Sequence, residues 1–484
     1  VKKAFSLLIL LIIGSAVAAE AGEAILGPSA FGPFSVGYRV QCLQDAARSF
    51  GDGRTRPVTL HLWYPVARPE GKPMEYKEYV WAARGGAQGR EERRRDVLAA
   101  YKSVPVEMGA DEIVLDNYLD RATQAHFDSP PGPGRFPLIL YAPSLNADPF
   151  ENAELFEMLA SHGYVKAAAS CLGWENANSE RNSRGALAQW GDLGFLLNQL
   201  WRETFVDPDH IGLIGFSWGG MTGLQFALSR PGIEAVADLD GAQGMAAYRA
   251  VAESFPLWSP RRLRSPVFYI LPEGEERDAG FFSQTLYADT YIWKMPAISH
   301  RDFSSDLIIN RRRAAGDPKT AETERIYSEI AAKLKIFFDW HLKKIPSSRA
   351  DWMASPKQEA GWSMRPALPA PPSPALFIEI IEKQGEDRAV ALFRDLRRAD
   401  PGLLLLDEPR LLEFGALWGP ERSEDLFKLL TINLEMYPRS ADTHFWLAQV
   451  YLARKDKSAA LRSLEAALAI DPNHAKALRL KKKI

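Results

Sequence analysis

The sequence predicts two folds in series. The first is an α/β domain on a mainly parallel sheet with helices on both faces, and the second is an all-α domain of stacked helical repeats. Three observations predict this. Short apolar runs alternate with amphipathic helical stretches from residue 136 to about 345, the pattern of a parallel sheet covered on both sides. A proline-rich stretch, Arg365-Pro366-Ala367-Leu368-Pro369-Ala370-Pro371-Pro372, then reads as a stiff linker. Beyond it only helical periods remain.

Composition narrows the function classes. Of 484 residues 46% are apolar and 25% charged, which excludes a largely disordered, collagen-like or multi-span membrane chain. Lys plus Arg number 59 and Asp plus Glu 61, a net charge of −2 that gives no electrostatic case for nucleic acid. Two cysteines are too few for a disulfide scaffold or a cysteine-based zinc module.

Residues 1–19 read as a secretory signal peptide. Lys2 and Lys3 precede the apolar run Ala4 to Ala18, which ends in the small residues Ala16-Val17-Ala18. The run is shorter than the ~20 residues that span a bilayer. The expectation is export to the periplasm or medium, with no stable membrane span after cleavage. Export permits disulfides, but Cys42 and Cys171 sit in apolar, strand-like stretches and read as buried thiols rather than a pair.

The catalytic domain is expected over 30–345. Val36 to Leu43 and Arg56 to Pro65 are strand-like, joined by a turn at Gly51-Asp52-Gly53, an antiparallel opening. Residues 66–130 lose that pattern and read as an insertion suited to roof a site; its charge run Arg90 to Asp96 suits a solvated helix face. Strands follow at 136–141, 164–169, 211–216, 233–239, 266–271 and 290–297. Helices are expected around Leu155 to Ala160, at 185–203, at 220–229, and through Ile326, Ile330, Leu334, Phe337 and Phe338. Residues 346–375 read as linker.

Residues 376–484 form the repeat domain. His444, Leu447, Ala448 and Tyr451, then Ala460, Leu464, Ala467 and Pro472, fit the two helices of a tetratricopeptide repeat at 441–474. Pro438 lies 34 residues before Pro472, marking a degenerate preceding unit, and Ala389, Leu392, Leu396 and Pro401 mark a weaker one earlier. Such repeats point to a protein partner docking through 376–484.

The chemistry centres on Gly215-Phe216-Ser217-Trp218-Gly219, a G-x-S-x-G sequence between an apolar strand and a helix. That context is what a nucleophile elbow of the α/β-hydrolase fold requires. Serine needs a base, and the base an orienting acid, in the chain order Ser, acid, His. Of the histidines after Ser217, His341 falls within a helix and His444 and His474 within the repeats, which leaves His300 in a loop after a strand. Asp240 follows the strand 233–239. Asp238 is two residues deeper, and Glu273, Glu275, Glu276 and Asp278 follow the next strand. Pattern alone does not choose between Asp240 and Asp278.

Residues 30–345 resemble the platelet-activating-factor acetylhydrolase and dienelactone-hydrolase-like branch of the α/β-hydrolase superfamily. The likeness rests on Arg56 to Pro65, Phe136 to Leu145 with Leu159 to Ala169, Ile211 to Gly220, and Ile298 to Phe303. It implies that Leu239-Asp240 carries the catalytic acid, 23 residues after the serine, and that His300 to Phe303 is the family's His-x-x-Phe. The implied triad is Ser217, Asp240 and His300, with backbone N–H groups of Trp218 and Leu145 as oxyanion donors. Two departures stand out. Pro143-Ser144 replaces the His-Gly that relatives often carry in the oxyanion loop, and the nucleophile is serine where dienelactone hydrolases proper have cysteine.

The chain therefore reads as an exported serine hydrolase of carboxylic esters, with no cofactor and no metal implied. Aromatic residues Tyr248, Phe255 and Trp258, with Met245, make 241–262 a second candidate roof. The same triad also serves acyltransferases, lactonases and peptidases. A repeat-based binding scaffold with a weakly active hydrolase domain is the alternative from another class.

Overall fold

The computed structural model describes residues 23–51, 53–84, 91–102, 112–313, 319–355, 360–406, 408, 412–413 and 422–484. Residues 1–19, expected as a signal peptide, lie outside them. The chain divides into two compact units, Val1–Leu368 and Pro369–Ile484.

The first unit is built on a ten-stranded sheet in the order β10-β9-β8-β7-β6-β4-β5-β2-β1-β3. The strands are β1 (Ser35–Phe50), β2 (Arg54–Val66), β3 (Ala125–Phe127), β4 (Phe136–Ala142), β5 (Val165–Ala168), β6 (Val206–Phe216), β7 (Ile233–Leu239), β8 (Val267–Pro272), β9 (Thr290–Met295) and β10 (Trp362–Arg365). The block β5-β4-β6-β7-β8-β9 is parallel throughout. β1 and β2 form an antiparallel hairpin, and β2 runs antiparallel to β5. This order, with helices between parallel strands, is that of the α/β-hydrolase fold.

Both faces of the sheet are covered, which explains why its strands read as unbroken apolar runs. Along β4, Leu138, Leu140 and Ala142 enter one core while Ile139 and Tyr141 enter the other. The helix Ser183–Leu200 covers the first face with Leu193, Leu196, Leu197 and Leu200. Asn182 starts it by accepting from the N–H groups of Arg184 and Gly185. The helix Thr320–His341 covers the other face with Ile326, Ile330, Leu334, Phe337 and Phe338. Truncating one such side chain to alanine costs about 2–5 kcal/mol.

Three features differ from the sequence reading. Within 66–130 the helices Lys77–Ala83, Glu91–Lys102 and Glu112–Asp120 form, and Tyr76, Tyr79 and Tyr118 are fully buried around Trp63 and Phe150. The insertion contributes core through Met74, Val80, Leu115 and Leu119 as well as these tyrosines. β3 was not expected; its three residues pair with β1. Residues 346–365, expected as linker, instead form the helix Pro346–Ala354 and the strand β10, which pairs antiparallel with β9. Trp352 is the reason, since its ring packs on Phe268, Phe337 and Trp362.

In the second unit the helices Pro374–Gln384 and Glu386–Ala399 pair, as do Ala441–Ala453 and Lys457–Ile470. Ser440 and Asp456 cap the latter two through the N–H groups of Thr443 and Ala459. Ala448, Ala460, Leu464 and Ala467 form their buried seam, with small residues where the two helices approach closely.

Candidate active site

β6 ends at Phe216, and the helix Trp218–Ser229 begins two residues later. Ser217 between them has φ 55° and ψ −119°, a backbone state costing a non-glycine residue about 1–3 kcal/mol. Hydrogen bonds hold it there. Its N–H donates to Leu239 O at 3.0 Å, and its carbonyl accepts from Ala242 N at 2.7 Å. The flanking glycines are set by close approach. A Cβ on Gly215 would stand 2.3 Å from Gly219 O, and one on Gly219 only 1.9 Å from Ala142 O.

His300 opens the turn His300–Phe303 after β9, where Ser299 and Asp302 form a reciprocal capping box. Its Nε2 lies 2.9 Å from Ser217 Oγ, and its Nδ1 lies 2.6 Å from Asp240 Oδ2. Asp240 follows β7, is fully buried, and donates its own N–H to Ile270 O at 2.7 Å. Both carboxylate oxygens also accept from Arg277, through Nε at 2.8 Å and Nη2 at 2.9 Å. A carboxylate so engaged only accepts, so His300 carries its proton on Nδ1 and turns the Nε2 lone pair toward the serine hydroxyl.

The other acids expected from the sequence are occupied elsewhere. Asp238 is fully buried and accepts from Gln243, and burial pushes its carboxyl up to about 8. Asp278 pairs with Arg249 at 2.6 Å and accepts from Gly280 N. Glu275 bonds Arg277 through Oε2 and accepts the His300 N–H through Oε1 at 2.9 Å. The structure thus brings Ser217, His300 and Asp240 together and leaves Asp238 and Asp278 apart from the imidazole.

The loop after β4 borders the elbow. Pro143 O accepts from Gln189 Nε2 at 2.8 Å. Ser144 donates both its N–H and its hydroxyl to the Glu151 carboxylate, each at 2.7 Å, and Tyr141 donates to the same group at 2.9 Å. Glu151 is buried, which pushes its carboxyl up to about 7 against the pull of these bonds. Leu145 packs on the cluster containing Trp218, Met221 and Cys171. Among the described residues the N–H groups of Trp218 and Leu145 donate no hydrogen bond.

A cavity of about 340 Å³ opens beside this loop, lined by Ser144, Leu145, Asp148, Arg84, Tyr101 and Asp306. Arg84 pairs with Asp148 at 2.8 Å and lies over the Tyr101 ring, so two residues of the 66–130 region reach it. From 241–262, Tyr248 meets the Trp218 ring at 5.7 Å, whereas Trp258 packs on Phe281. Both cysteines are free; Cys42 is exposed, and burial raises the Cys171 thiol to about 12. Among the described residues no cluster of three or more His, Cys, Asp or Glu side chains is arranged to hold a metal ion, and no helix is long and apolar enough to cross a membrane.

Sequence reasoning did not single out Arg277 or Glu151, and it weighed Glu275 only as a catalytic acid. Arg277 reaches Asp240 across 37 residues and Glu275 reaches His300 across 25, while Glu151 gathers donors from the loop just before it without any motif to mark it.

A tetratricopeptide repeat model matches residues 441–474. Among solved structures, a ferulic acid esterase from Streptomyces cinnamoneus is similar at 19% identity and a TM-score of 0.49, over 71% of this chain and 100% of that one. No curated protein matches the chain.

Proposed function

We propose that the protein is an exported serine hydrolase of carboxylic esters, related to the acetylhydrolase and dienelactone-hydrolase-like branch. The observation that carries this reading is the continuous hydrogen-bonded path from Ser217 through His300 to Asp240, on a backbone turn that holds the serine in a strained state. Ser217 Oγ attacks the ester carbonyl while His300 Nε2 takes its proton. His300 then protonates the departing alkoxide, leaving an acyl-enzyme. Water, deprotonated by the same imidazole, releases the acid. Asp240 fixes the tautomer and stabilises the imidazolium. The unengaged N–H groups of Trp218 and Leu145 bind the tetrahedral oxyanion, where loss of one donor costs about 10²–10³ in rate.

An acyltransferase, lactonase or peptidase would use the same three residues. The repeat match at 441–474 favours a second, compatible role in docking a protein partner.

Intact-mass analysis after incubation with a fluorophosphonate tests the reading, together with turnover of short- and long-chain p-nitrophenyl esters. The expected result is one adduct and ester turnover, both abolished in Ser217→Ala. A folded chain with neither adduct nor turnover overturns it and moves the weight to the repeat unit as a binding scaffold.

A further inference from the structure

The acid side of the site closes into a ring that the triad does not require. Arg277 grips Asp240 with two parallel hydrogen bonds and has only 10% of its side chain exposed. Its Nη2 also reaches Glu275 Oε2 at 2.6 Å, and Glu275 Oε1 accepts the backbone N–H of His300. The path therefore runs from Asp240 to Arg277, to Glu275, to the His300 backbone, and through the imidazole back to Asp240. It ties the loop after β7 to the loops after β8 and β9.

The charges make this more than a brace. Asp240 and Glu275 supply two negative charges and Arg277 one positive, so the ring reaches neutrality only when His300 becomes an imidazolium. A guanidinium against the orienting carboxylate offsets part of the field that stabilises that imidazolium. Other charged groups nearby are engaged elsewhere. Asp302 accepts from Ser299 and pairs with Arg311, and Asp278 pairs with Arg249. Asp238 and Tyr269 lie behind Asp240, where burial favours their neutral forms. Arg301, on the His300 turn, is exposed.

We propose that Arg277 and Glu275 are positioning residues that set the basicity of His300, Arg277 lowering it and Glu275 raising it. This rests on the reading of Ser217, His300 and Asp240 as the triad.

The test is the pH dependence of kcat/KM on p-nitrophenyl acetate for the full chain, with folding of each variant checked by circular dichroism. In Arg277→Met the midpoint of the acid limb rises by roughly one pH unit, the scale of a charge removed at contact distance. In Glu275→Gln it falls, and Arg277→Lys returns it toward wild type. Opposite shifts are the signature, because a merely structural brace would lower kcat in both variants with the midpoint unmoved. Glu275 is one-third exposed, so Glu275→Gln tests the sign even where Arg277→Met does not fold. Active, folded variants sharing the wild-type midpoint overturn this proposal alone. A wild-type chain inert to esters and fluorophosphonate overturns the hydrolase reading and this proposal with it.

Discussion

On one side of Ser217, Asp240 and His300 are held by a ring of compensating charges through Arg277 and Glu275. On the other side, the Ser144-Leu145 turn hangs on one buried carboxyl, Glu151, which gathers three donors and carries no cation among its hydrogen-bond partners. The two sides answer to pH differently. A guanidinium stays charged across the working range, so the acid side keeps its bonds. The Glu151 carboxyl, pushed up to about 7 by burial, gains a proton near neutrality and then can no longer accept from all three donors. The departure Pro143-Ser144 thus comes with its own support, but one that loosens as the solution acidifies.

The comparison breaks most sharply at the acids. Asp240→Asn is expected to lower kcat by about 10⁴-fold, through loss of the correct imidazole tautomer. Asp238→Asn, which replaces a carboxyl that burial pushes up to about 8 and that does not meet the imidazole, costs less than about tenfold. Steady-state kinetics of the pair check this, and comparable losses would remove Asp240 from its role.

Next is the oxyanion side. Glu151→Gln leaves Ser144 N–H or its hydroxyl without an acceptor and should lower kcat by about 10–100-fold with KM little changed, within the range for a weakened oxyanion donor. The same variant sharpens the contrast in pH. With both Glu151 and His300 able to take a proton, log kcat/KM of the wild type falls on the acid side with a slope above one. In Glu151→Gln the slope returns to one. A variant with wild-type kcat and slope would detach Glu151 from catalysis.

The smallest effect is on stability. Between about pH 4.5 and 7 the folded chain retains a Glu151 proton that the unfolded chain has released, so on this account stability falls as pH rises through that window. Glu151→Gln lacks this cost at every pH. Its melting temperature relative to wild type should therefore climb by roughly 1–3 °C from the acid to the alkaline side of the window, measured by calorimetry. A constant difference would mean that Glu151 is ionised at no net cost.

Much of the sheet was legible because its strands are apolar on both faces, as in Leu138-Ile139-Leu140-Tyr141, and need no partner to be recognised. The elbow was legible because close approach forces glycine at 215 and 219. His300 emerged from chain order, and Asp240 from resemblance rather than pattern. What stayed hidden is decided by the fold rather than by local pattern. Arg277 is 37 residues from Asp240, in a polar stretch that reads as an ordinary loop. Glu151 is hydrophilic in a segment whose burial only the fold decides. Tyr76 and Tyr79, at the start of one helix, meet Tyr118 of another in one cluster that only the fold assembles. The strand β10 was masked by the prolines that follow it.

That last strand has a bearing on how the molecule resists self-association. β9, six residues long, would otherwise present an open edge of N–H and C=O groups beside Trp293 and Phe268; the pairing Trp362↔Trp293 to Arg365↔Thr290 closes it with the chain's own backbone. Prolines at 366 and 369 then withhold N–H donors just where a further strand would seek them. A chain ended at 345 would retain Ser217, Asp240 and His300 but expose this aromatic edge. It would be prone to edge-to-edge aggregation that a chain carried through Leu368 avoids.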